Sequence, residues 1–167
     1  MPIVFAGRVF SVDVETIQLQ DGREHRVETV RHRPSVVLLP MEDEQHVVLV
    51  EQYRHSIGRR IWELPAGSLE IGESAEAAAA RECEEEIALV PGRIEPLQGL
   101  FPAPGFCDEE LIYFRLSDLR PRPAHSLHRP DEDEEISART FSLVEAKAMA
   151  ARGEIVDLKT AYGLTLV

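Results

Sequence analysis

Apolar and polar residues alternate along the first third of the chain with the period of two that marks half-buried strands. "RVFSVDVETIQLQ" and "EHRVETVRH" read as two strands flanking Asp21-Gly22, a dipeptide that predicts a two-residue hairpin turn. "SVVLLP" (35–40) and "HVVLVEQYR" (46–54) predict a second pair around the acidic loop "MEDEQ", and "RRIWELPAG" a short strand ending in a turn. The period then changes. Ser74 is a candidate N-cap, and Ala75 to Ile87 predicts a helix of strong formers, with Glu76 near its N-terminus. Beyond "VPG", "RIEPLQGLF" and "EELIYFRL" predict two strands separated by the turn-rich "PAPGFCDE". The polar stretch "RPRPAHSLHRPDEDEE" reads as a long loop before a strand near 136–141. "LVEAKAMAARGE" and "DLKTAYGLTLV" predict two closing helices.

Mixed strands with a few helices predict an α+β fold, an α/β/α sandwich. No repeat, low-complexity tail or linker interrupts the 167 residues. One domain is expected, with 1–33 as an N-terminal antiparallel strand region and 34–167 as the catalytic core. The apolar runs are strand-sized and too short to span a bilayer, and the N-terminus lacks the pattern of a signal peptide. The expectation is a cytoplasmic protein with no membrane partner. A net charge of −12 repels phosphate backbones, which argues against nucleic acid. An anionic substrate would therefore need cations at the site. Cys83 and Cys107 show neither CxxC nor zinc spacing and read as structural thiols.

The chemistry concentrates in "GSLEIGESAEAAAARECEEEIAL", residues 67–89. Glu82, Glu85 and Glu86 fall within a third of the helix circumference, while Glu84 faces elsewhere. Acidic runs are usually solvated faces, and an exposed like-charge pair costs only about 0.2–0.5 kcal/mol, so the cluster alone decides nothing. Ala75, Ala78 and Ala79 on the same face admit a close loop, and the glycine-punctuated "ELPAGSLEIGES" would bring carbonyls to the helix. Carboxylates with carbonyl oxygens form the hard shell that Mg²⁺ or Mn²⁺ prefers. Such a cation would relieve the repulsion.

The stretch resembles the Nudix box: Gly, five residues, Glu, seven residues, then Arg-Glu-apolar-x-Glu-Glu-x-Gly-apolar. Gly67, Glu73, Arg81, Glu82, Cys83, Glu85, Glu86 and Leu89 all fall in place. Six specified matches at roughly 6% usage each arise by chance on the order of once in 10⁷ windows, so the resemblance is not accidental. Ala88 stands where the pattern has Gly. If that position is left-handed, alanine costs about 1 kcal/mol at the helix exit, away from the carboxylates. The resemblance implies a Nudix fold with a mixed central sheet. It implies Glu82, Glu85, Glu86 and the Ala66 carbonyl as ligands of Mg²⁺ or Mn²⁺, and Arg81 orienting a carboxylate such as Glu73. The implied reaction is attack of water on a diphosphate linked to a nucleoside, with Glu86 and Arg81 in the catalytic set.

"VEQYR", "ELPAG", "FPAPGFCDE", "DEDEE" and "GEIVDLKTAYGL" further resemble the ADP-ribose pyrophosphatase branch, from about residue 20 to the C-terminus. Pro104 lies sixteen residues beyond Ala88, the spacing of that branch, and Pro104, Gly105 and Phe106 become candidate substrate contacts. The resemblance also implies that Arg54 meets the diphosphate or ribose, which suits a guanidinium. It implies a general base from the late acidic loop: Glu132, with Glu134 in reserve. Glu63 reads as structural, bonding to nearby backbone; Trp62 reads as core or interface, and His125 and His128 as surface residues. The implied protein is a homodimer whose N-terminal strands cross between subunits, hydrolysing ADP-ribose to AMP and ribose 5-phosphate. Two alternatives stay open: another nucleoside diphosphate sugar or a dinucleotide as substrate, or a module that senses ADP-ribose without cleaving it. A sensor is expected to lose box carboxylates and to carry an appended DNA-binding domain. This chain keeps every acidic box position, and its length leaves no expectation of a second domain.

Overall fold

The run "SVVLLP" becomes the central strand of a seven-stranded sheet in the structure, a computed structural model that describes residues 2–126, 128 and 135–167. This strand, β4 (Ser35–Asp43), is buried from Ser35 to Met41, as expected of a strand covered on both faces. Its alternate residues feed two cores. Val37, Leu39 and Met41 pack in one cluster with Leu49, Leu64, Tyr113 and Phe141, and Val36 and Leu38 in another with Ala78, Ala79, Cys83 and Phe114.

Preceding β4 are β1 (Ile3–Ala6), β2 (Phe10–Gln18) and β3 (Glu24–His32); following it come β5 (His46–Arg54), β6 (Arg59–Glu63) and β7 (Ala66–Ser68). Helix α1 (Ala75–Ile87) precedes β8 (Leu89–Val90), β9 (Arg93–Leu100), β10 (Leu111–Ser117) and β11 (Arg120–Pro121). The chain closes with β12 (Ile136–Ser142), α2 (Leu143–Ala151) and α3 (Leu158–Gly163). The main sheet runs β12-β5-β4-β10-β9, with β6 on β5 and β7 on β4. Its mixed character lies in the middle: β10 is parallel to β4 and antiparallel to β9. Helix α1 supplies Ala78, Ala79, Cys83 and Ile87 to one core, and α2 supplies Ala146 and Met149 to the other. The result is the expected α/β/α layering, an α+β fold with an N-terminal sheet β1-β2-β3 beside it. Among the described residues no helix is long and apolar enough to cross a membrane. Trp62 sits at the first core, edge-on to Phe141 at 4.9 Å. Burial in the second pushes the Cys83 thiol up to about 12, consistent with an inert, structural cysteine.

Several expectations need correction. The β2–β3 turn is not a two-residue hairpin. Leu19 and Arg23 still bond across it, and the turn closes with Gly22 N–H donating to the Leu19 carbonyl at 2.9 Å. Gly22, at φ 84°, is the left-handed residue of a three-residue loop, so Asp-Gly acts one position later than read. Strand β1 was not foreseen; it pairs with β2 through a register shift. The pairing of β4 with β5 is limited to Met41–Val47 and Asp43–His46, because β6 takes Val50 to Arg54 on that edge of β5, while β12 pairs along the opposite edge. The closing helices are shorter than expected: α2 stops before Gly153 (φ 75°), and α3 has six residues.

Helix α1 has its expected bounds. Ser74 accepts from Ala77 N–H at 3.2 Å, and the helix ends at Ala88, with φ 56° and ψ 32°. The alanine in the glycine position of the box is therefore left-handed, and its N–H caps the Cys83 carbonyl. Ala88→Gly should stabilise the fold by about 1 kcal/mol, roughly 2–4 °C in Tm, by removing the clash between Cβ and backbone. Thermal melting of the two proteins checks this, and an unchanged or lower Tm contradicts it.

Candidate active site

The loop after β6 carries the chain from the sheet into the short strand β7, and α1 packs so that its acidic face meets that strand. Gly67 permits the contact: a Cβ there would collide with the Glu82 carboxylate. This is the physical reason for the first glycine of the box. Beside it opens a cleft of about 700 Å³, lined by Gly67, Ser68, Arg81, Glu82 and Glu85 from this region.

Arg81 organises the carboxylates. Its Nε and Nη2 form a fork onto Glu73 at 2.9 and 3.0 Å, and Nη1 donates to Glu82 at 2.6 Å and Glu85 at 2.8 Å. Nη2 also reaches the Ser68 carbonyl at 3.1 Å, fastening the helix to β7. The bonds to Glu73 come first among the causes that raise the Arg81 guanidinium further above its already high range. In return, Arg81 holds the Glu73 carboxyl below the usual carboxylate range. Glu86 lies on the same side and accepts from Ala66 N–H at 3.1 Å. Among the described residues no three acidic, histidine or cysteine side chains gather around one point, and Arg81 lies within bonding distance of two of the candidates. Glu73, Glu82 and Glu85 are thus joined through Arg81, with Glu86 on the same helix as the last two. Carboxylate oxygens are the hard donors a divalent cation takes; of the expected ligands, Glu82 and Glu85 are bonded to Arg81 and Glu86 to Ala66 N–H.

A second group of charges lines the same cleft. Arg54, at the end of β5, donates through Nε and Nη2 to Glu63 at 2.6 and 2.7 Å, and Lys159 of α3 bonds the same carboxylate. Glu63 does not bond to nearby backbone as the sequence suggested; its partners are side-chain cations. Burial pushes its carboxyl up, and Arg54 and Lys159 more than reverse this, leaving it below the usual range. Arg8, Val9, His32 and Arg33 from the N-terminal region also line the cleft.

Other expected site residues lie elsewhere. Pro104, Gly105 and Phe106 are exposed and do not line the cleft within this chain; Pro102 and Glu109 do. Their loop is stitched to β3, with Val30 N–H donating to the Phe106 carbonyl at 2.7 Å and Asp108 accepting from His32 N–H at 2.8 Å. His125 is exposed, and His128 is exposed as well but reaches Glu85 with its ring at 3.7 Å. Glu132 and Glu134, the candidate bases, lie outside the described residues. The sequence reading missed Asp157 and Lys159. Both lie in "GEIVDLKTAYGL", a stretch quoted for its resemblance but given no role, and Asp157 caps α3 through Thr160 N–H at 3.0 Å.

Residues 31–159 match the family described as NUDIX domain. The chain is 33% identical over 161 residues to the ADP-ribose pyrophosphatase of Bacillus subtilis (strain 168), covering 96% of this chain and 86% of that one. It is 33% identical over 162 residues to the ADP-ribose pyrophosphatase of Mycobacterium tuberculosis, covering 96% and 77%. It is 35% identical over 158 residues to the methanol dehydrogenase activator of Bacillus methanolicus, covering 94% and 84%. A solved structure described as an ADP compounds hydrolase superposes with a TM-score of 0.84 at 21% identity, covering 99% and 88%, a likeness of fold.

Proposed function

This chain belongs to the Nudix family, and we propose that within it the protein hydrolyses the diphosphate of ADP-ribose to AMP and ribose 5-phosphate. The observation that carries the reading is the cleft itself, where a carboxylate cluster on α1 faces the cations Arg54 and Lys159. A diphosphate needs both: cations for its oxygens, and carboxylates that hold a divalent metal. Relatives at 33% identity over almost the whole chain are ADP-ribose pyrophosphatases, which favours ADP-ribose over other nucleoside diphosphates. Every acidic box position is kept, which favours an enzyme over a sensing module.

Glu82, Glu85, Glu86 and the Ala66 carbonyl would hold Mg²⁺ or Mn²⁺, which when bound neutralises the diphosphate and activates water. Arg81 keeps Glu82 and Glu85 at fixed positions through charge-assisted bonds. Arg54, held by the Glu63 fork and lining the cleft, keeps further N–H donors of the kind that suit a phosphate or ribose oxygen. Glu132 remains the candidate base, with Glu134 in reserve, and Pro104, Gly105 and Phe106 remain candidate contacts in a homodimer.

The test is a panel of nucleoside diphosphate compounds with Mg²⁺ and product identification. ADP-ribose should show a higher kcat/KM than GDP-mannose, nucleoside triphosphates or diadenosine polyphosphates. A preference of about tenfold for a triphosphate or a GDP-sugar, some 1.4 kcal/mol in transition-state binding, would remove the substrate assignment. Oxygen-18 water in the same assay identifies the phosphorus attacked.

A further inference from the structure

Glu63 is 1% exposed, the most deeply buried carboxylate among the described residues, yet it holds two cations. One would suffice. The Arg54 fork already occupies both carboxylate oxygens, and a bidentate guanidinium is a complete partner for a buried carboxylate. Lys159 is therefore surplus to neutralising Glu63, and the carboxylate that balances its charge is Asp157. Nor is Lys159 needed to dock α3. Leu64 N–H donates to Thr160 Oγ1 at 2.7 Å, and Asp157 caps the helix through Thr160.

The ammonium is held from two sides, by Glu63 and by Asp157 at 3.0 Å. Its third proton has no acceptor among the described residues, and three of the five Arg54 N–H groups likewise have none. Both side chains line the cleft. Two fixed cations with spare donors side by side match the chemistry of phosphate oxygens, the guanidinium as a fork and the ammonium as a point charge.

We propose that Lys159 is a substrate-binding residue that, together with Arg54, donates to the phosphate oxygens of the bound diphosphate, with Glu63 and Asp157 holding its ammonium at the cleft wall. This rests on the diphosphate reading above. The test reads binding rather than turnover: titration calorimetry of ADP-ribose into protein kept free of divalent cations, for wild type, Lys159→Met and Lys159→Arg. Loss of one charged donor should weaken Kd by about tenfold or more in Lys159→Met, while Lys159→Arg stays within about threefold of wild type. Lys159→Met with a wild-type melting curve and a Kd within about twofold of wild type overturns the proposal. Should Lys159→Met fail to fold, Lys159→Gln makes the same comparison with a side chain that still bonds Glu63. A wild type that binds GDP-mannose but not ADP-ribose overturns only the substrate reading, and the Lys159 comparison is then decided on GDP-mannose. A wild type that binds neither overturns both.

Discussion

Glu86→Gln should lower turnover by about 100-fold or more while leaving the fold intact, and Glu84→Gln should leave turnover within about twofold. Even groups that only support a metal ligand are worth roughly 10–100-fold, and loss of a ligand charge should exceed that. The fold stays intact for a local reason. The Glu86 carboxylate accepts from Ala66 N–H at 3.1 Å, and the amide oxygen of glutamine can accept the same bond. What the substitution removes is charge beside Glu82 and Glu85. Glu84 stands on the same helix, but among the described residues its carboxylate bonds neither Arg81 nor β7, and its backbone carbonyl accepts from Arg122 at 3.0 Å. The pair thus separates a specific site from general acidity. Steady-state kinetics with saturating Mg²⁺, beside melting curves, make the measurement. Equal losses at both positions would show that the acidic face has been misassigned.

Where the structure agrees with the sequence, the deciding information is local. Helix α1 begins and ends as read, because Ser74 and the left-handed Ala88 are signals within one turn of the boundary. Gly67, Arg81 and the glutamates were legible as a spacing, and the structure adds why the spacing works: Gly67 has no Cβ to strike Glu82, and Arg81 spans Glu73, Glu82 and Glu85 at once. Where the reading fell short, the partner is distant. Glu63 and Lys159 are 96 residues apart, so neither "ELPAG" nor "GEIVDLKTAYGL" by itself shows that the two charges meet. The same holds for the loop 101–110, where Pro104, Gly105 and Phe106 read as candidate substrate contacts but which is tied to β3 through Val30 and Arg31. β1 was missed because four residues beside a glycine carry too little periodicity to announce a strand.

Deleting the residues before Arg31 should abolish activity or raise KM severalfold, and should yield a monomer or insoluble protein. The N-terminal sheet presents Ile3, Val4, Phe5, Val9 and Phe10 to solvent, each at least 42% exposed. Three strands with this much apolar surface exposed are unfavourable in water unless another surface covers them. Within the chain the sheet is joined to the rest mainly where β3 meets the loop 101–110, through the Val30 and Asp108 bonds and the Arg31–Asp108 ion pair at 3.1 Å. A second copy of the same chain is the proposed cover, in line with the homodimer expected from the sequence. Activity alone does not decide the point, because the deletion also removes Arg8 and Val9 from the cleft of the same chain. Mass does. Light scattering on the intact protein should give twice the 18.8 kDa of one chain, and the truncated protein should lose that doubling together with its activity. An intact protein that runs as a monomer at working concentration, or a truncated one that is soluble and fully active, rules the arrangement out.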